Sequence, residues 1–151
     1  MSKPVVSLNP QHAKRRARRS AMQALYQWQA SMQNLGDIEQ QFLADQDMSK
    51  ADTGYFHELL HQIPARLDEL EDALIPLLDR PLNEIDPVER AILRIGIFEL
   101  SNRPDIPYRV VLNEAIQLAK QFGATDGHKY INGILDKAAR EFRAPEINAG
   151  L

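Results

Sequence analysis

Two short stretches of the sequence combine residue types that could do chemistry. His57-Glu58-Leu59-Leu60-His61 matches H-E-x-x-H. In that pattern two imidazoles one helical turn apart share a zinc ion and the glutamate acts as general base. Catalytic zinc takes a third protein ligand, and no downstream histidine or glutamate stands at a recognisable spacing. The helix that would carry the motif has its apolar arc on Phe56, Leu59, Leu60 and Ile63, which leaves both histidines on the solvent edge. Two surface histidines are therefore expected, with no metal and no catalysis. The sequence has no phosphate-cradling glycine loop, no nucleophile elbow and no cysteine. Its carboxylates read as helix surface charge. These features point away from an enzyme and imply no cofactor.

The second stretch is basic: Lys14, Arg15, Arg16, Arg18 and Arg19. On a helix, Lys14, Arg15, Arg18 and Arg19 fall within an arc of about 140°. Arg15, Arg19, Met22 and Tyr26 follow i, i+4, i+7, i+11. That stripe is basic at its start and apolar-aromatic further along, and it is expected to be distinct from the core stripe. No acidic residue is near in sequence, and the macrodipole opposes positive charge in the first turns of a helix. Intramolecular stability does not account for such a run. Guanidinium groups bind phosphate bidentately, so a nucleic-acid partner does. A third patch opens the last expected helix: Asp126, Gly127, His128, Lys129 and Tyr130. Its free backbone N–H groups and Lys129 suit a phosphate, and Tyr130 suits stacking on a base. An ordinary capped helix start is the plainer reading of that patch.

The elements that must position these residues are all helical. The chain has 151 residues and a formal net charge of −3. Residues 1–20 carry +6 and the remainder −9, so a basic arm is attached to an acidic body. No run of about 18 apolar residues and no secretory h-region occurs, and cytoplasmic residence without a membrane is expected. No segment alternates with the period of a strand, whereas helical periodicity recurs throughout.

About seven helices follow. Residues 1–9 are expected to be a disordered extension, 10–143 a single all-α domain, and 144–151 a C-terminal tail. Asn9-Pro10 starts a helix that runs to about Gln33 on Ala17, Ala21, Ala24, Leu25, Trp28 and Met32, ended by Gly36. Asp37 caps a short second helix. A third starts between Ser49 and Thr53, and Pro64 kinks or breaks it before a continuation to Leu78. Asp86-Pro87-Val88-Glu89 opens a helix apolar on nearly all sides, which belongs at the centre. Another starts at Asp105-Ile106-Pro107 and ends with Gly123 at its C′ position. Thr125 or Asp126 caps the last, and Pro145 stops it.

Three motifs carry a family resemblance across about residues 11–140: KRRARRSAMQALYQW, ERAILRIGIFEL and IPYRVVLNEAIQLAKQFGATDGHKYINGILDKA. Together they resemble the NusB family of bacterial transcription antitermination factors. The resemblance implies two small helical bundles packed together and no catalysis. It implies binding of boxA RNA together with the ribosomal protein NusE, and entry into an antitermination complex on RNA polymerase, including on ribosomal RNA operons. It assigns RNA contact to Lys14, Arg15, Arg16 and Arg18, joined on the residue reading by Arg19. It adds Asp126, Lys129 and Tyr130 on the same RNA surface. It assigns the NusE interface to Tyr26 and Glu89, and the stripe adds Met22. Gly127 stands where the family often has serine, which would loosen the cap. Monomer and homodimer both stay open. The same fold resembles the N-terminal domain of some RNA methyltransferases, which continue into a Rossmann-like domain with a cysteine nucleophile. This sequence shows neither.

Overall fold

The segment from Ala91 to Leu100 is buried at every residue. It belongs to a helix, Pro87–Asn102, that the other elements surround. Asp86 starts it: its carboxylate accepts from Val88 N at 2.9 Å and Glu89 N at 3.2 Å, while Pro87 needs no hydrogen-bond partner in the first turn.

The computed structural model describes residues 9–45 and 48–150. Residues 1–8 of the expected extension lie outside the described residues. Among those described there are eight α-helices and no strand: α1 Pro10–Ser31, α2 Leu35–Asp45, α3 Thr53–Ala65, α4 Leu67–Leu74, α5 Pro87–Asn102, α6 Tyr108–Phe122, α7 Gly127–Phe142 and α8 Ala144–Asn148. The first three pack on one another, α6 and α7 pack on each other, and α5 touches α1, α3, α4, α6 and α7. Two small bundles thus share α5 as their seam. Gly96 lets them close: a methyl group there would lie 2.7 Å from Leu135 of α7. No described helix is long and apolar enough to cross a membrane.

Several local expectations need correction. Gly36 does not end α1 but lies in the first turn of α2. The stop is Met32, left-handed at φ 55° and exposed, and Asn34 rather than Asp37 caps α2 by accepting from Asp37 N at 3.2 Å. Met32 is therefore outside the core stripe. Pro64 lies inside α3, which runs on to Ala65; the break falls after it at Arg66, and α4 restarts at Leu67 and reaches only Leu74 rather than Leu78. A 3₁₀ turn over Ile75–Leu77, with its own proline, follows. Gly123 is extended (φ −84°, ψ 177°) rather than left-handed; it is small because a Cβ would sit 2.7 Å from the Ala119 carbonyl oxygen. Neither Thr125 nor Asp126 caps α7 through its side chain, and Asp126 takes φ 63°. The expected tail holds α8, whose Glu146 accepts from Tyr108 N at 2.8 Å and so caps α6 from across the chain. Pro145 sits in the first turn of that helix, where a missing N–H costs nothing.

Candidate RNA interface

The buried residues of α1 are Ala17, Arg18, Ser20, Ala21, Met22, Ala24 and Leu25. At 100° per residue they cover about 200° of its circumference, because α1 is packed by α2, α3 and α5 together. That arc is wider than the sequence stripe suggests and takes in two residues expected on the outside. Met22, only 2 % exposed, is core. Arg18 has a side chain 4 % exposed, and its Nε donates to Glu99 of α5 at 2.8 Å. The Tyr55 hydroxyl of α3 donates to the same carboxylate oxygen, and Arg103 and Lys14 lie against the Tyr55 ring at 4.9 and 4.8 Å. Burial pushes the Glu99 carboxyl above its usual range against the pull of Arg18. It also works against the charge on Arg18, but Glu99 outweighs it and holds that guanidinium charged. Burial, then Glu99, raises the Tyr55 phenol.

The basic run is also not without acidic partners. Lys14 pairs with Asp52 at 3.3 Å, and Arg15 Nε donates to both oxygens of Glu114 at 3.1 Å. These acids come from other helices or their caps, so sequence distance hid them. Arg16 and Arg19 make no ion pair with any described residue. They line an open cleft of about 610 Å³ between α1 and α6, with His12, Arg15, Lys50, Gln117 and Gln121. Lys50, Gln117 and Gln121 were not singled out in the sequence; the i, i+4 spacing of the two glutamines on a polar face of α6 is the only sign of them. Tyr26, 43 % exposed, continues the outward stripe of Arg15 and Arg19.

The start of α7 lines a second cleft, of about 430 Å³, with Arg80, Asp86, Glu89, Ala124, Asp126 and Tyr130 among its walls. The two clefts share no residue, but α6 leads from one to the other: Gln121 lines the first and Ala124 the second. Tyr130 is not a bare ring. The Arg80 guanidinium lies 4.6 Å from its centroid, and its hydroxyl donates to Asp79 at 2.8 Å. Hydrogen bonds from Arg80 and then from Tyr130 hold the Asp79 carboxyl down at about 2. Burial and then Asp79 raise the phenol of Tyr130. Lys129 and Asp126 are exposed and 3.5 Å apart, so this patch carries its own counter-charge. Glu89, 6 % exposed, turns inward and accepts from Ala124 N at 3.2 Å. A methyl group at Gly127 would meet that carboxylate at 2.7 Å. The glycine therefore makes room for Glu89, beside a helix start that no side chain caps.

The H-E-x-x-H residues lie elsewhere, on α3. Both imidazoles reach Glu39 of α2, His57 Nδ1 at 2.6 Å and His61 Nε2 at 2.9 Å. A third residue able to ligate, absent at any recognisable downstream spacing, thus stands upstream and on another helix.

Known proteins decide the family. The NusB family model matches residues 15–140. The chain belongs to the NusB family. It is 58 % identical over 134 residues to the transcription antitermination protein NusB of Nitrosococcus oceani, covering 89 % of this chain and 90 % of that one. It is 55 % identical over 136 residues to the protein of the same name from Alcanivorax borkumensis, covering 90 % and 91 %. Among solved structures, T. maritima NusB matches with a TM-score of 0.75 and 31 % identity over 95 % of this chain and 99 % of that one. On this NusB-family fold, three residues assigned to outer contacts turn inward. Arg18 and Met22 are core because α1 is packed on more than one side, and Glu89 is spent on the α6–α7 loop.

Proposed function

We propose that the chain is an RNA-binding transcription antitermination factor rather than an enzyme. It binds boxA RNA together with NusE in the cytoplasm and joins the antitermination complex on RNA polymerase, including on ribosomal RNA operons. The names of its relatives support antitermination. The observation that carries the RNA reading is the cleft between α1 and α6, where Arg16 and Arg19 stand without an acidic partner among the described residues. Unpaired guanidinium groups on a rigid helix are pre-organised for phosphate. Lys14 and Arg15 flank the cleft, paired with Asp52 and Glu114, acids that RNA phosphates would replace as their partners. Asp126, Lys129 and Tyr130, with Arg80, extend the RNA path at the start of α7. Tyr26 supplies the aromatic anchor for NusE. Arg18, Met22 and Glu89 hold these surfaces in position.

The test is RNA binding with and without NusE, comparing boxA with a scrambled sequence across salt. Arg16→Glu with Arg19→Glu should weaken both RNAs tenfold or more. It should also flatten the salt dependence by about 0.7 per lost phosphate contact. Tyr26→Asp should reduce NusE binding and leave affinity for RNA alone unchanged. Wild-type affinity in the arginine double variant would sink the cleft as the RNA site.

A further inference from the structure

We propose that Glu39, His57 and His61 form a binding site for one zinc-class divalent cation that bridges α2 and α3. Their donor atoms all lie within 4.8 Å of one another. A tetrahedral zinc with bonds of about 2.0–2.1 Å sets its ligands about 3.3 Å apart. The two imidazole rings are 4.3 Å apart, centroid to centroid, and each offers a nitrogen to a different oxygen of Glu39. Small side-chain rotations, opening the contacts at 2.6 and 2.9 Å, admit an ion between all three.

The backbone that carries these ligands is already fixed. Phe42, three residues after Glu39, packs on Phe56, the residue before His57, with ring centroids 5.9 Å apart. Ile38, beside Glu39, is fully buried. The ligands therefore stand on two helices locked by an apolar contact, which lowers the entropy lost on binding. Glu39 is mostly buried, while His57 is 60 % exposed and leaves an entry path and a fourth position for water.

Two imidazoles and one carboxylate select zinc, and related borderline ions such as cobalt, over magnesium or calcium, which take oxygen ligands. The set matches that of many zinc hydrolases, but the hydrolytic base is committed elsewhere. Both oxygens of Glu58 are held by Arg103 Nη1, at 2.9 and 3.1 Å. The site therefore binds a cation without turning it to hydrolysis. It stands independently of the RNA reading.

The test uses the full chain without a histidine tag. Zinc uptake by equilibrium dialysis and calorimetry should saturate at one ion per chain, and cobalt should give the intense visible bands of tetrahedral coordination. Glu39→Gln and His57→Ala should each weaken zinc tenfold or more. His57→Ala with His61→Ala should abolish binding while helical circular dichroism is kept. His12→Ala and His128→Ala should leave zinc uptake unchanged. Excess zinc should raise Tm in the wild type and not in the double variant. Absence of saturable uptake by the folded wild type would overturn the proposal, as would uptake unchanged in the double variant.

Discussion

The two ends of α5 are held in different ways. At its C-terminal end the buried Arg143, from the end of α7, donates to the carbonyls of Glu99, Leu100, Arg103 and Ile106 at 2.7–3.1 Å and to Glu146 at 3.1 Å. A cation there satisfies the last carbonyls of the helix and complements its dipole. The Arg18–Glu99–Tyr55 network adds a tie to α1 and α3 at the same end. At its N-terminal end, the Asp86 cap is local, and Glu89 makes one bond to the α6–α7 loop. That loop enters α7 through a left-handed Asp126 with no side-chain cap. The rigid end thus braces the start of α1, and the looser end carries the second candidate contact patch.

Breaking the rigid end should cost most. Arg143→Ala removes a donor from four carbonyls, of which Glu99 and Arg103 keep a backbone N–H, and should lose about 3–5 kcal/mol. In a chain of this size that is a fall in Tm of about 10 °C or more, read by thermal or urea unfolding. A loss below about 1 kcal/mol would remove Arg143 from the account of this end. Arg18→Ala strands a buried carboxylate and should cost about 3 kcal/mol. Arg18→Met combined with Glu99→Met should recover much of that, and a double variant no better than the single would contradict it. At the other end, Glu89→Ala should cost only about 1 kcal/mol. It should speed hydrogen exchange at the Ala124 amide without affecting amides near Leu100. Equal effects at both ends would erase the contrast.

The smallest effect concerns acid. Hydrogen bonding by Arg103 lowers the Asp105 carboxyl from 3.8 to about 2. A depressed carboxyl stabilises the fold above its unfolded value, and that contribution fades as pH falls from about 4 towards 2. Asp105→Asn should flatten the Tm-against-pH curve in that window. Because Asp105 is largely exposed, the change should be slight.

The all-α class and the central position of α5 were legible because apolar spacing and the Asp86-Pro87 start are local signals. Helix ends were less so. Gly36 and Gly123 looked like stops, but Gly36 is accommodated inside a helix, whereas Gly123 does end α6, extended and small for lack of space against Ala119. The basic run was legible as charge but not as surface. Nothing within α1 distinguishes Arg18 from Arg19; the difference is made by Glu99, 81 residues away. For the same reason Glu39 escaped notice as a companion of His57 and His61. A ligand from another helix has no spacing to be read. Arg143 gave no signal at all, since its partners are backbone carbonyls.

The burial of α5 on all sides also has a consequence for synthesis. As the chain leaves the ribosome, α1, α3 and α4 emerge before α5, while α6 and α7 follow it. A nascent chain that has reached Asn102 therefore presents Gly96 and its apolar neighbours without the Leu135 side of their coat. Until α7 arrives, that face is open to chaperones and to other nascent chains. Completion of the fold waits for α7 to be made.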